Sequence, residues 1–264
     1  MSIKFGDRVG PLSPEVYMAA HGARNAMKSW VKSDSGFDMA TGDLLLGPDD
    51  YALLTKLASS GSSHAKFLRQ ISVTVNIVAP LYWWKQFDTY KIGTTANSES
   101  TMHTITNRPI SMNDFDIEWD KIKDIQSMKN PALIEVEFLN DATRAFDSFA
   151  KTIETLNFLR ERYLSSKDSN YWKLLIQMLP DSYIQMRTVT LNYQVLRTIY
   201  FDRRHHKLLE WHDFCETFIK KLPLSTWITV ETISGLPFPS SATILSLGDG
   251  IKLGDLAFGR NKII

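Results

Sequence analysis

Residues 71–78 read Ile-Ser-Val-Thr-Val-Asn-Ile-Val, so Ile71, Val73, Val75 and Ile77 alternate with Ser72, Thr74 and Asn76. That period-two pattern of β-branched residues specifies a strand with one buried face. Ala79-Pro80 closes it, and Leu81–Phe87 begins a helix. The stretch Pro80 to His103, PLYWWKQFDTYKIGTTANSESTMH, makes a poor core and a poor surface helix. Three aromatics lead into Gln86, Asp88, Thr89, Tyr90 and Lys91, and a hydroxyl-rich run follows. It is the expected place of a nucleotide and cofactor site.

The other elements follow from spacing and punctuation. Ser13-Pro14 opens a helix over Glu15–Val31, with Ser13 as N-cap and Pro14 at the first helical position. Ser33–Gly47 reads as a loop and Pro48–Ser59 as a second helix. In Ala145–Leu164, Phe146, Phe149, Ile153, Leu156 and Leu159 mark one helical face. Tyr171–Met178 is a short helix, Ser182–Val189 a strand, and Leu191–Phe201 a helix. His206–Leu222 sets Leu208, Trp211, Cys215, Phe218 and Leu222 on one helical stripe. We expect one domain over 1–233 with a polar surface insertion near 104–131, and a tail or arm with short strands over 234–264.

Thirty Lys and Arg face 29 Asp and Glu, a formal charge of +1. That balance does not favour a nucleic-acid polymer or an anionic membrane as partner. No apolar run approaches the roughly 18 residues of a membrane span. MSIKFGDRVGPLSPE has no apolar leader segment, and a cytoplasmic protein is expected. The lone Cys215 excludes an internal disulfide and a Cys-based zinc site, and no metal is expected.

Gln86 and Asp88 offer donors and acceptors for a base edge, and Lys91 a point charge for phosphate. Trp83, Trp84 and Tyr90 offer stacking faces, or a core pair beside a solvated turn. The hydroxyls from Thr94 to Thr101 suit a phosphate or flavin edge if the amides point inward. His64, after a Gly-Ser-Ser turn, is a ligand contact or a hydrogen-bonded surface histidine. Arg203-Arg204-His205-His206-Lys207 is a phosphate clamp or the cationic end of a helix. From adjacent positions Arg203 and Arg204 do not both face one site. Cys215, on an apolar stripe, reads as inert packing.

Taken in order, these pieces resemble the flavin-dependent thymidylate synthase (ThyX) family. Ala20-His21-Gly22-Ala23-Arg24 is similar to the family's A-A-R helix. Asp50–Leu57 and Gly61-Ser62-Ser63-His64 before the strand look like its next two blocks. Gln86 stands where the signature Gln does; two residues then intervene before Thr89-Tyr90-Lys91, which stand in place of R-H-R. Asn97-Ser98-Glu99-Ser100 resembles N-E-x-S after one inserted residue, and Met102-His103 replace R-Y. Leu179-Pro180, Thr190, Asn192, Leu196 and Arg203 fall in the later register, with Gln194 replacing the motif Arg.

The resemblance implies an α/β (α+β) fold with a central, largely antiparallel sheet flanked by helices, and a homotetramer with shared sites. It implies transfer of a one-carbon unit from methylenetetrahydrofolate to C5 of dUMP, with FAD reduced by NADPH and no cysteine nucleophile. By position, Gln86 and Ser100 are the catalytic candidates. Gln86, Ser100, Arg203 and Arg204 are the substrate-binding ones, and His64, Tyr90, Lys91, Asn97 and Asn192 the cofactor-binding ones. Two alternatives stand beside this: a paralogue modifying another pyrimidine nucleotide, and a non-catalytic homo-oligomeric binding or structural protein that lost the flavin site.

Overall fold

The computed structural model describes residues 3–119, 124, 127, 133–231, 251 and 252. The strands are β1 (Lys4–Val9), β2 (Gly36–Phe37), β3 (Leu44–Leu46), β4 (Ser72–Pro80), β5 (Thr94–Ser98), β6 (Ile184–Asn192) and β7 (Ile251–Lys252). The helices are α1 (Ser13–Ala23), α2 (Pro48–Ser59), α3 (Leu81–Phe87), α4 (Thr101–Thr104), α5 (Leu133–Ser166), α6 (Ser169–Gln177), α7 (Tyr193–Arg203), α8 (Leu209–Asp213) and α9 (Thr226–Thr229).

A four-stranded sheet has the order β1-β4-β6-β5. The predicted strand is its β4, whose Val73, Val75 and Ile77 are buried while Ser72, Thr74 and Asn76 are half-buried. Hydroxyls of Thr74 and Thr190 lie 2.8 Å apart, and Thr188 donates to Asn76 Oδ1 at 2.7 Å, so β4 and β6 run antiparallel. A second, three-stranded sheet is ordered β2-β3-β7, with Leu46 opposite Ile251.

The chain divides into two compact units. One comprises Val78–Gln86 and Ser98–Met186; the other takes the described residues up to Ile77, Phe87–Asn97, and those from Arg187. In the first unit, α5 and α6 pack together. Its core includes Ile105, Ile110, Phe115, Leu156 and Leu175. The segment after Thr104 is therefore not wholly a surface insertion: it contributes three core side chains. The rest of the predicted insertion beyond Trp119, apart from 124 and 127, lies outside the described residues, as does the tail after Ser234 apart from 251 and 252.

In the second unit, α2 begins at Pro48 with Asp49 and Asp50 in its first turn, as proline geometry and the helix dipole favour. Its cap comes from a distant residue. The Asp34 carboxylate accepts from the backbone N–H of Asp49 at 2.8 Å and of Asp50 at 3.0 Å. α9 closes over α2, with Trp227 Nε1 donating to Thr55 Oγ1 at 3.0 Å.

Two predicted helices are cut short or broken up. The helix predicted over Glu15–Val31 ends at Ala23, after which two 3-10 turns and a left-handed Lys28 carry the chain. There the buried Arg24 turns its guanidinium to the fully buried Asp50 at 2.5 Å. The single helix predicted over His206–Leu222 is α8, a π turn over Phe214–Phe218 and a 3-10 turn over Ile219–Lys221. Burial explains the change. Trp211, Phe214, Cys215, Phe218, Ile219 and Leu222 are all buried, a wider set than the predicted stripe.

Candidate functional site

The strongest constellation lies in the second unit, where the end of α7 meets α8 and the turn after α3. Arg203 is the last residue of α7. Its Nε donates to the Tyr90 hydroxyl at 2.8 Å. The guanidinium carbon lies 4.9 Å from the ring centre of the fully buried Trp211 and 5.6 Å from that of Tyr90. A cation over aromatic faces is held electrostatically by their quadrupoles. The Tyr90 hydroxyl also donates to Asp202 at 3.2 Å. Burial raises the Tyr90 pKa; the Arg203 cation works against that and the Asp202 carboxylate with it, so Tyr90 is a neutral phenol. His206 sets its ring 6.4 Å from Trp211. Burial, then the Arg203 charge, lower its pKa and favour neutral imidazole. The site is thus an oriented cation on an aromatic bed, suited to an anionic group.

The turn from Tyr90 into β5 is built around Gly93. Its φ is +81°, and an added Cβ would stand 2.8 Å from Asn192 Nδ2. Glycine is required by both facts. Asn192 caps α7, its Oδ1 accepting from the Val195 N–H at 3.0 Å. Thr94 Oγ1 donates to the Tyr90 carbonyl at 2.7 Å. Lys91 and Asn97 are exposed on this turn and strand. Tyr90, Lys91 and Asn192 are thereby gathered around one glycine. His64, also exposed, precedes the 3-10 turn Ala65–Gln70, which packs against α1 and α7.

Gln86 and Ser100 belong to the first unit. Gln86 is half-buried in α3, and Ser100 is exposed at the N-cap of α4. The Ser100 carbonyl accepts from the His103 and Thr104 N–H groups at 3.1 Å each. A residue that the sequence did not single out, Gln185, holds this turn. It is 8% exposed. Its Nε2 donates to the Glu99 carbonyl at 2.7 Å and reaches Thr101 Oγ1 at 3.4 Å, on either side of Ser100. Its own carbonyl accepts from Trp84 Nε1 at 3.0 Å. A lone Gln in a strand pattern carries no sequence signal for such a role.

Other predicted groups are otherwise engaged. Trp83 and Trp84 are fully buried, edge to face at 4.9 Å, so they are core and not ligand-stacking faces. Arg204 lies over Tyr200 and Phe201 and pairs with Glu231 at 3.1 Å, on a different side from Arg203. Arg197, missed by sequence reading, is buried and donates to the carbonyls of Trp227 at 2.9 Å and Ile228 at 3.4 Å. Burial pushes the Cys215 thiol up to about 12, as for inert packing. Among the described residues no group of three or more His, Cys, Asp or Glu could hold a metal ion, and no helix is long and apolar enough to cross a membrane.

No family model matches this sequence, and no curated protein does. Solved structures do. The chain aligns with Helicobacter pylori thymidylate synthase X (ThyX) bound to FAD and dUMP over 86% of this chain and 95% of that one, at 15% identity and a TM-score of 0.54. A second H. pylori ThyX complex with FAD and dUMP gives 16% identity, 86% and 96% coverage, and a TM-score of 0.52. PolB, a UMP/dUMP methylase from Streptomyces cacaoi bound with 5-Br dUMP, gives 17% identity, 86% and 92% coverage, and a TM-score of 0.55. The chain has the ThyX fold. The expectation of an α/β protein with a central, largely antiparallel sheet is thereby met. In this chain the turn after α3 sets Tyr90 against Arg203.

Proposed function

We propose that this protein binds a pyrimidine nucleotide and transfers a one-carbon unit from methylenetetrahydrofolate to C5 of dUMP, as a flavin-dependent thymidylate synthase-like methyltransferase of nucleotide biosynthesis. The observation that carries the reading is the Arg203 guanidinium, held by the Tyr90 hydroxyl at 2.8 Å over Trp211, in the register of the family's nucleotide Arg. Arg203 holds the phosphate. Ser100 is the candidate for the reacting base, and Gln86 for the pyrimidine or sugar. Arg204, paired with Glu231 over Tyr200 and Phe201, has no part in the phosphate contact.

The donor set around Gly93 fits a planar, anionic cofactor in its chemistry: the exposed Lys91 ammonium, the exposed Asn97 amide, Asn192 and the Tyr90 ring. In this reading those residues and His64 hold FAD, which supplies the redox chemistry when bound, with NADPH as reductant. The chain's own task is to orient the reactants. The active form is a cytoplasmic homotetramer.

A second reading is favoured by one observation. The Tyr90 hydroxyl is committed to Arg203 and Asp202, so it does not replace the signature's cations. That favours a paralogue acting on another pyrimidine nucleotide. Release of the C5 hydrogen is the test, with FAD, NADPH and methylenetetrahydrofolate present. Release from dUMP supports the first reading; release from UMP or a cytidine nucleotide and not from dUMP supports the second. Release from none of them overturns both and leaves a non-catalytic binding protein.

A further inference from the structure

Outside the Arg203 site, the first unit carries a cavity of about 300 Å³ whose polar groups the proposed reaction does not use. Its walls include Glu99, Arg108, Asp114 and Tyr183, and its apolar lining Ile105 and Ile110. Glu99 follows β5 in extended backbone, its N–H pairing with the Met186 carbonyl at 2.9 Å. Side chains alternate along such a segment, which sets Glu99 opposite to Ser98 and Ser100. The cavity is therefore separate from the face that presents Ser100.

The hydrogen-bonding capacity left in this cavity is specific. Asp114 is saturated: it accepts from Arg108 Nη1 at 2.8 Å, from Arg108 Nη2, and from the Ser111 N–H at 2.8 Å. It thereby fixes the Arg108 guanidinium, which also reaches the Pro109 carbonyl at 3.2 Å through Nη1. Arg108 Nε and the second hydrogen of Nη2 have no partner among the described residues. Glu99 Oε2 accepts from the Met186 N–H at 3.3 Å. Its other carboxylate oxygen and the half-buried Tyr183 hydroxyl have no partner among the described residues either. Burial, then the Asp114 and Glu99 charges, keep Tyr183 a neutral phenol.

One acceptor carboxylate, one half-neutralised guanidinium with two spare donors, and a hydroxyl thus line a small pocket with an apolar floor. Glu99 and Asp114 against Arg108 give the wall a net negative charge, which disfavours a phosphate. We propose that this cavity binds a small zwitterion of the α-amino acid type, with its ammonium on Glu99 and Tyr183, its carboxylate on Arg108, and its side chain against Ile105 and Ile110. The volume is at the lower end of small-molecule pockets, which suits a ligand of that size.

The test is calorimetric titration of the full chain with L-alanine, L-serine and L-valine, with alaninamide and N-acetyl-L-alanine as controls that each lack one charge. At least one amino acid is expected to bind with a Kd below about 10 mM, and both controls at least about tenfold more weakly. Glu99→Gln is expected to weaken binding about tenfold or more and Tyr183→Phe severalfold. Thermal melting of each variant checks that the fold is retained, so a loss of binding is read on folded protein. Arg108→Met serves only as support, because it also releases Asp114. No binding of any amino acid to the wild type overturns the proposal. So does binding that Glu99→Gln and Tyr183→Phe both leave within about twofold, or equal binding of the two singly charged controls.

Discussion

Arg203 donates from Nε to the hydroxyl of Tyr90 at 2.8 Å, joining the end of α7 to the turn that leads into β5. The contact spans residues that no local pattern connects. It also fixes the Arg203 guanidinium over the Trp211 ring. Arg203→Ala is expected to weaken dUMP binding at least about tenfold, in line with roughly 1.5–3 kcal/mol for a charge-assisted hydrogen bond. Tyr90→Phe keeps the ring and removes only the hydroxyl, so a smaller, severalfold loss is expected. Calorimetric titration with dUMP reads both. Unchanged affinity in Arg203→Ala would move the clamp elsewhere, with Arg204 as the next residue to replace.

Gln185 is expected to act on the nucleotide through Ser100. Gln185→Met removes the donor to the Glu99 carbonyl, and leaves that group unsatisfied at about 1–3 kcal/mol of stability. If Gln185 positions the turn, dUMP affinity falls even at a temperature where the variant is fully folded. If it is only a structural bond, the melting temperature falls while dUMP affinity stays at the wild-type value.

The buried pair Arg24–Asp50 is a stability element with a defined pH response. Burial tends to raise the Asp50 pKa, but hydrogen bonds from Ser33, Ser35 and Arg24 outweigh it and hold the carboxyl below its ordinary value. A depressed folded-state pKa contributes stability above the unfolded value of about 3.9, and that stability is lost as pH falls through the folded value. Asp50→Asn leaves the Arg24 cation buried without a counter-charge, and about 3–5 kcal/mol of destabilisation is expected near neutral pH. Urea denaturation across pH should show the gap between wild type and variant constant above about pH 5 and shrinking in acid. A gap that widens in acid contradicts this assignment.

Gly93 and Asn192 form a coupled pair. Gly93→Ala meets both a left-handed backbone and the Asn192 amide at 2.8 Å, so a loss of about 1–3 kcal/mol is expected. Asn192→Ala removes a helix cap, at about 1 kcal/mol. The double variant should lose less than the sum, because one change removes the other's clash. Strict additivity in denaturant unfolding would show that the two do not press on each other.

The parts of the fold legible in the sequence are those where local pattern and burial agree. β4 was readable because Ile71, Val73, Val75 and Ile77 alternate cleanly, and α2 because Pro48 and two aspartates mark its start. α5 starts at Leu133, earlier than the apolar face beginning near Phe146 suggested; residues 136–148 are largely exposed, so burial gives that part no face to read. The π turn at Phe214–Phe218 has no Gly or Pro to announce it; only the burial of Phe214 and Ile219 beside the predicted stripe requires it. For the site, the sequence singled out Tyr90, Lys91 and Arg203, and the structure joins Tyr90 to Arg203; Trp83-Trp84 looked the same whether core or ligand platform. Arg24, Gln185 and Arg197 were not legible as functional contacts, since their partners lie 26, 86 and 30 residues away.

The central claim is that this ThyX fold binds a flavin beside the Arg203 site. The most direct measurement is the visible spectrum of the purified full chain after incubation with FAD and removal of the free cofactor. A flavin absorption band that travels with the protein, and that weakens in Lys91→Ala, is the predicted result. A colourless protein that shows no FAD binding would contradict the flavin-dependent reading.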